Sequence, residues 1–166
     1  GQGAARDCMR HLQETGLDSV VKQAAGEKPF LGICMGMQVL MAHSEENDGI
    51  ACMNLYDGEV RAFADEALNA QMQSLKIPHM GWNQVAQKQD HPMWSGIDDK
   101  SRFYFVHSYY VVPANDDDIA ASTPYGFEFA SVIARGNIFA VQFHPEKSQH
   151  AGLQLLSNFV GWNGES

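Results

Sequence analysis

The stretch PFLGICMGMQVL constrains the fold of this chain more than any other part of the sequence. The apolar run at residues 29–33 has the length and composition of a buried parallel strand. It runs without a linker through a Gly-x-Cys-x-Gly pattern centred on Cys34 into residues 35–43, which we predict to be a helix. A strand that passes directly into a helix needs a sharp bend, and a thiol lies at this one.

A bend of this kind constrains the backbone angles around the thiol and the pKa of the thiol itself. We expect strained backbone angles at Cys34, with Gly32 and Gly36 required because the backbones come too close for a Cβ. The helix N-terminus would point at the sulfur and lower its pKa, and the Met35 N–H would meet a developing oxyanion. The alternative is an inert buried thiol between two flexible glycines, and the pentapeptide alone leaves both open.

A second motif, FAVQFHPEKS, places His144, Pro145 and Glu146 at the end of an apolar run. A residue before proline favours extended geometry, and residues two apart in an extended chain point to the same side. We therefore expect the Glu146 carboxylate to orient the His144 imidazole toward a thiol, as acyl transfer requires. The alternative is an ordinary strand exit with a solvated acid.

Composition excludes several other functions. The chain has 166 residues, a net charge of −9 and no block of Lys or Arg, which argues against binding to nucleic acid or an anionic membrane. Its apolar runs are too short to span a membrane. Cys8, Cys34 and Cys52 are widely spaced and indicate neither a disulfide framework nor a zinc site. We expect a reducing cytoplasm, no metal or organic cofactor, and spectator roles for Cys8 and Cys52.

The remaining pattern predicts one α/β domain over residues 1–166. Residues 4–25 have helical spacing with a break at Gly16, and a β-rich middle follows. Gly136 and Asn137 lie between two apolar runs and predict a hairpin turn. The last segment predicts a helix with four apolar residues on one face, namely Leu153, Leu156, Phe159 and Val160.

The cysteine and His-x-Glu motifs together resemble the class I, triad-type glutamine amidotransferases. PHMGWNQV, FYFVHSYYV and GNIFAVQFHPEKSQHAGLQLLSNF resemble the branch that supplies the amidotransferase subunit of imidazole glycerol phosphate synthase, in histidine biosynthesis. Met37 supports this branch, because the anthranilate-synthase branch tends to have a histidine there. The resemblance implies a flavodoxin-like α/β fold, with a mostly parallel sheet flanked by helices.

The resemblance also implies the catalytic roles. Cys34 would attack the glutamine side-chain amide, and His144, held by Glu146, would pass the proton to the leaving ammonia. A γ-glutamyl thioester would form and then be hydrolysed. The oxyanion would be held by backbone at Met35 and in the family's oxyanion loop, which matches Gly1, Gln2 and Gly3.

Other positions match substrate-binding and partner-binding positions of the family. Gln38, Ser108 and Tyr109 would hold the amino-acid end of glutamine. Trp82, Tyr104 and Lys147 would face the partner subunit. The alternative for Trp82, Tyr104 and Tyr109 is an ordinary aromatic ring in the core or at its rim, and the alternative for Lys147 is a solvated lysine. For two histidines, His79 and His107, we favour a structural role over a catalytic one.

The implied partner is a (β/α)₈-barrel cyclase subunit, which would form a heterodimeric synthase with lyase activity and receive the ammonia. Docking would switch on the glutaminase by aligning the oxyanion loop. Two alternatives stay open: a glutaminase subunit of another class I amidotransferase, and a catalytically silent binding subunit.

The family domain usually begins with strands and a helix before the oxyanion loop, and this chain starts inside that loop. The sequence is therefore expected to be either part of a longer protein or a truncated one. A truncated chain would expose the apolar edge of residues 30–33, and we would expect it to be poorly soluble and nearly inactive.

Overall fold

The computed structural model describes residues 4–64 and 75–165. Its helices are α1 (Ala5–Glu14), α2 (Leu17–Glu27), α3 (Met35–Gln38) and α4 (Gln149–Gly161). Short 3₁₀ turns cover Glu46–Asp48, Pro92–Trp94, Asp116–Asp118 and Pro145–Lys147. Within the described ranges, no helix has the length and apolar character needed to cross a membrane.

The strands build one large mixed sheet and one small ribbon. They are β1 (Phe30–Ile33), β2 (Met41–Ser44), β3 (Ile50–Ala51), β4 (Tyr56–Ala62), β5 (His79–Gln84), β6 (Ala86–Gln87), β7 (Arg102–His107), β8 (Tyr109–Pro113), β9 (Ile119–Tyr125), β10 (Phe127–Arg135) and β11 (Ile138–Val141). The large sheet has the order β1-β11-β10-β8-β4-β2-β3, with β9 on β10 and β6 on β9. Antiparallel β5 and β7 form the ribbon.

The sheet agrees only in part with the parallel arrangement that was expected. Strand β1 runs parallel to β11, and β2 runs parallel to β4. The other pairs among the described strands are antiparallel, including the β10–β11 hairpin predicted at Gly136 and Asn137. The α/β prediction is confirmed, and the parallel pairing is concentrated beside the bend at Cys34.

The two N-terminal helices follow the predicted pattern. Gly16 separates α1 from α2 with a φ of 69°, a left-handed conformation that suits glycine. The buried face of α1 carries Ala5 and Met9, which pack in one apolar cluster with Met35 and Val39. This packing places α1 beside the segment that follows the bend.

Strand β1 is parallel as predicted but is not fully buried. Only Gly32 is buried, and its apolar neighbours are half-buried. Within the described residues β1 pairs with β11 on one side only. The prediction of full burial is therefore wrong for β1, because its second edge has no strand against it in the described chain.

The helix predicted over residues 35–43 is also too long. It ends at Gln38, and β2 begins three residues later at Met41. A short apolar run fits a helix and a buried strand equally well, and tertiary pairing decides between them. Here β2 pairs with β3 and β4, and the carbonyl of Leu40 accepts hydrogen bonds from the backbone of Leu55 and Tyr56.

The C-terminal helix is confirmed, but its predicted apolar face is only partly right, since Phe159 packs against the core and two other members do not. Leu153 is 63% exposed and Val160 is 87% exposed. The buried positions of α4 are Gly152 and Leu155. A Cβ at Gly152 would lie 1.9 Å from the carbonyl oxygen of Pro145, so glycine allows α4 to pack directly on that turn. Backbone contact, which hydrophobic spacing does not reveal, selects the buried face.

Candidate active site

The bend at Cys34 has the strained geometry that the sequence predicts. Cys34 has φ 52° and ψ −109°, a conformation that side-chain-bearing residues rarely adopt. Its N–H donates to the Val141 carbonyl at 2.8 Å, which ties the bend to β11. A Cβ at Gly32 would lie 2.9 Å from the Ala140 Cβ, so glycine is required there. At Gly36 a Cβ would meet no described atom within 4 Å, so no described residue imposes the requirement predicted for the second glycine.

His144 and Glu146 form the predicted pair by a different route. The Nδ1 atom of His144 lies 2.6 Å from the Glu146 Oε1 atom. His144 is extended, but the next residues form the Pro145–Lys147 turn, so the extended geometry proposed for the pair is wrong. Because a carboxylate only accepts, Nδ1 carries the proton and Nε2 is left as the basic nitrogen. His144 is buried, whereas 45% of the Glu146 side-chain surface is exposed.

Ser148 holds the turn that carries the imidazole. Its Oγ donates to the His144 carbonyl at 2.6 Å and accepts from the Tyr104 N–H at 2.9 Å. The His144 N–H donates in turn to the Tyr104 carbonyl at 2.9 Å. The His144 backbone is therefore fastened to β7, and the Gly152 contact holds the same turn against α4.

The thiol and the imidazole open into one cavity of about 470 Å³, a volume typical of small-molecule sites. The predicted residues that line it are Cys34, Met35, Gln38, Ser108, Tyr109, His144 and Lys147. Glu146 lies behind His144 and does not line the cavity. Gly1, Gln2 and Gly3 lie outside the described residues.

Burial dominates the electrostatics of the thiol. It raises the pKa of Cys34 above its ordinary value of 9.0, and hydrogen bonds from the Met35 N–H and the Gln142 side chain oppose this rise. The lowered pKa predicted from the helix N-terminus is therefore wrong, because α3 is only four residues long and desolvation outweighs it. Within the described residues the sulfur accepts its side-chain hydrogen bond from Gln142 and not from His144.

The predicted partner-facing residues lie on the β5–β7 ribbon and on the turn after β11. Trp82 and Tyr104 lie opposite each other on β5 and β7, with ring centroids 6.2 Å apart. Trp82 is 39% exposed and Met80, on the same face of β5, is 62% exposed. Lys147 lines the cavity, on the turn whose flanking residues His144 and Ser148 are hydrogen-bonded to the Tyr104 backbone.

Residues 13–161 match the class-I glutamine amidotransferase family. The chain belongs to this family. Two solved structures have the same fold: a glutamine amidotransferase from Thermotoga maritima with a TM-score of 0.59, and a second glutamine amidotransferase with a TM-score of 0.64. Both are 15% identical to this chain; the matches cover 97% and 95% of it, and 60% and 76% of the respective structures. The predicted fold class is therefore confirmed.

Curated relatives of this amidotransferase are much closer in sequence. The chain is 59% identical over 164 residues to the imidazole glycerol phosphate synthase subunit HisH of Thiobacillus denitrificans. That match covers 98% of this chain and 72% of the other protein. The chain is 56% identical to the HisH subunit of Methylococcus capsulatus, over 98% of this chain and 75% of that protein. The resemblance seen in the motifs thus extends over nearly the whole chain.

Sequence reasoning missed two polar residues of the amidotransferase site, Glu46 and Gln142. Glu46 lines the cavity from the turn after β2, in a segment whose sequence predicts only an acidic loop. Its Oε2 atom accepts a hydrogen bond from the Ala5 N–H at 2.8 Å. His107, for which the sequence favours a structural role, also lines the cavity. Gln142 contacts the sulfur of Cys34. No local pattern marks Glu46, whereas Gln142 lies within the quoted QFHPE motif.

The two cysteines for which the sequence predicts spectator roles lie outside the cavity lining. Cys8 and Cys52 are unpaired and pack at the edge of the apolar cluster around α1, away from the cavity lining. Burial raises the pKa of Cys52 to about 11. These thiols therefore serve as internal controls for experiments on Cys34.

Proposed function

We propose that this chain is the glutaminase subunit of an imidazole glycerol phosphate synthase. It hydrolyses L-glutamine to glutamate and ammonia and delivers the ammonia to a cyclase subunit in histidine biosynthesis. The observation that carries the proposal is the opening of the strained Cys34 thiol and the oriented His144 imidazole into one cavity. The high identity to HisH subunits supports this assignment over other amidotransferase branches.

The first half-reaction forms a thioester. The Nε2 atom of His144 takes the thiol proton of Cys34, and the sulfur attacks the side-chain carbonyl carbon of glutamine. The carbonyl oxygen becomes an oxyanion that the Met35 N–H can receive, and we assign the second donor to the backbone of Gly1, Gln2 and Gly3. When the C–N bond breaks, His144 returns the proton to the leaving nitrogen, which departs as ammonia.

The second half-reaction regenerates the thiol. A water molecule gives a proton to Nε2 of His144 and attacks the thioester carbon. The C–S bond then breaks, the sulfur takes the proton back from the imidazolium, and glutamate leaves. Glu146 stabilises the imidazolium in both halves because its carboxylate lies against Nδ1.

The raised thiol pKa affects the timing of proton transfer. A buried Cys34 resists ionisation in the empty site, so the thiolate forms mainly as the sulfur attacks. The enzyme therefore does not need a resting thiolate, which would react with other electrophiles. His144 must be in place at the moment of attack.

Glu46 and Gln38 supply the recognition of the amino-acid end. A primary ammonium is a cation with three donors, and the Glu46 carboxylate is an acceptor of opposite charge in the same cavity. The Gln38 Nε2 is committed to hydrogen bonds within the protein, so its Oε1 is the atom that can accept from the substrate. Backbone at Ser108 and Tyr109 completes the site.

The partner in this proposal is a (β/α)₈-barrel cyclase that docks on the surface of Trp82, Tyr104 and Lys147. Ammonia at pH 7 is mostly protonated and poorly nucleophilic, so a closed route from the cavity to the second site preserves its reactivity. Docking would also align the oxyanion loop. A cytoplasmic location agrees with the three unpaired cysteines.

The test uses the complex with the cyclase. Cys34→Ala should abolish glutamine-dependent synthesis and labelling by a diazo-ketone analogue of glutamine, yet retain synthesis from added ammonium. Cys52→Ala is the matched control, because it removes a thiol outside the cavity, and should keep both activities. Trp82→Ala should weaken association with the cyclase.

Three outcomes would refute parts of the proposal. Labelling that persists in Cys34→Ala would remove Cys34 as the nucleophile. Loss of the ammonium-dependent reaction in the same variant would contradict the division of labour between the subunits. Association with a different synthase subunit in place of the cyclase would move the chain to another amidotransferase branch.

A further inference from the structure

Gln142 lies beside the thiol in a position that the reaction scheme above does not use. It follows β11, two residues before His144, and its side chain is fully buried. Its Nε2 atom lies 3.6 Å from the Cys34 sulfur, which is hydrogen-bonding distance for sulfur. Ionisation of this buried sulfur is costly, and an N–H aimed at it stabilises the charged form.

The hydrogen-bond network decides which end of the Gln142 amide faces the sulfur. The Gln142 Oε1 accepts from the Gln38 Nε2 at 3.0 Å, and the same Nε2 donates to the Tyr109 carbonyl at 3.2 Å. A carbonyl oxygen can only accept, so Gln38 must present its NH₂ group there. If the Gln142 amide were reversed, two NH₂ groups would face each other. The sulfur therefore faces a donor.

Two buried histidines hold the Tyr109 carbonyl from another direction. His107 Nδ1 lies 2.7 Å from that oxygen and must donate to it, which leaves its Nε2 as an acceptor 2.8 Å from His79 Nδ1. His79 must then donate to His107, and its own Nε2 lies 3.2 Å from the Asn83 amide nitrogen. Burial lowers the pKa of His79 to about 4 and that of His107 to about 3, so both rings are neutral at pH 7.

We propose that Gln142 is a catalytic residue whose amide N–H stabilises the developing thiolate of Cys34, and that Gln38 is a positioning residue that fixes the direction of this N–H. The inference rests on the proposed function, since it takes Cys34 as the nucleophile. As the thiol proton moves to Nε2 of His144, the charge left on sulfur is shared with the Gln142 N–H until the C–S bond forms. Hydrogen bonds to ionised acceptors are stronger than those to neutral ones, so the contact strengthens as the attack proceeds.

The ionisation of Cys34 tests this directly. The apparent pKa is obtained from the rate of iodoacetamide alkylation against pH, in a protein carrying Cys8→Ser and Cys52→Ser. Gln142→Met keeps the length of the side chain and removes its N–H. We expect the apparent pKa to rise by about one unit and the glutaminase kcat in the cyclase complex to fall about tenfold, with KM within about twofold.

A neighbouring buried polar residue provides the matched control. Ser131→Ala removes a buried hydroxyl that has no hydrogen-bond partner among the described residues. Ser131 lies beside Gln142, because its backbone carbonyl accepts from the Gln142 N–H. Its alkylation profile should equal that of the parent. The titratable groups that face the thiol are unchanged in these variants; they are Glu46, His107, His144 and Lys147 in the cavity and Glu146 behind it.

Two further variants make the assignment sharper. Gln142→Glu fills the same space but turns an acceptor toward the sulfur, so the apparent pKa should rise further than in Gln142→Met. Gln38→Met should raise it too, and the double variant Gln38→Met/Gln142→Met should match Gln142→Met alone, because Gln38 acts through Gln142.

The outcomes separate this inference from the proposed function. A folded Gln142→Met protein that alkylates with the parent profile would overturn the role of Gln142; if that variant fails to fold, Gln142→Glu decides in the same way. Fully additive effects would overturn the positioning role of Gln38. Failure of the diazo-ketone analogue to label Cys34 in the parent complex would instead refute the proposed function.

Discussion

Gly152→Ala tests whether the packing of α4 on the His144 turn controls catalysis. The new Cβ would lie 1.9 Å from the Pro145 carbonyl oxygen and 2.8 Å from the Ser148 Cβ, whereas real Cβ contacts are not shorter than 3.0 Å. The helix and the turn must therefore separate by about 1 Å, the difference between 3.0 and 1.9 Å. Overpacking of this kind costs about 3 kcal/mol, and the better helix propensity of alanine returns about 1 kcal/mol.

We therefore expect the free energy of unfolding to fall by about 2 kcal/mol, which corresponds to a melting temperature about 6 °C lower for a chain of this size. The turn carries both His144 and Glu146. A displacement of about 1 Å at a reacting group can cost about 100-fold, so the glutaminase kcat should fall by up to that factor. Urea unfolding followed by circular dichroism and glutamine turnover in the cyclase complex measure the two effects.

Gly161→Ala is the matched control for this experiment. It lies in the same helix, and a Cβ there would meet no described atom within 4 Å. Its stability should be unchanged or slightly raised, with turnover equal to that of the parent. A Gly152→Ala protein as stable and as active as Gly161→Ala would refute the idea that this contact positions the imidazole.

Three other predictions concern the bend, a helix end and acid stability. Gly32→Ala should reduce turnover and stability, whereas Gly36→Ala should be tolerated, because only the first Cβ meets the neighbouring strand; turnover and urea unfolding of both variants check this. Asn137→Ala should lower the free energy of unfolding by about 2 kcal/mol in urea titrations, because its Nδ2 donates to the carbonyls of Ala25 and Lys28 at the end of α2. Burial lowers the pKa of His91 to about 4, below its ordinary 6.5, so this residue makes the fold lose stability as the pH falls from about 6.5 toward 4. His91→Asn should reduce that slope in urea titrations at pH 7, 6 and 5, by an amount that approaches about 1.4 kcal/mol per pH unit only between pH 6 and 5, where the unfolded histidine is mostly protonated. An Asn oxygen still accepts from the Met93 N–H.

Several features follow from local rules, and the structure agrees with them. A strand that ends in Gly-x-Cys-x-Gly allows little except a strained bend, and Cys34 has that strain. A His-x-Glu segment brings its two side chains together through the chain itself, so the His144–Glu146 contact needed no knowledge of the fold. The break at Gly16 and the hairpin at Gly136 are likewise local.

Other features depend on what the segment packs against. Residues 41–44 have a pattern that suits a helix, but pairing with β3 and β4 makes them a strand. The C-terminal helix buries Gly152 and Leu155 but leaves Leu153 and Val160 exposed, because the Pro145 turn lies against Gly152. Neither neighbour can be identified from spacing within the segment.

The amino-acid sequence by itself determined the groups that can react and the turns that hold them, because both are properties of a few adjacent residues. Only the tertiary structure decided the environment of the sulfur. Met35 follows Cys34 directly, but Gln142 is 108 positions away along the chain and reaches the sulfur because β1 pairs with β11. The net rise in the thiol pKa is likewise a consequence of burial, which arises only when the chain has folded around the bend.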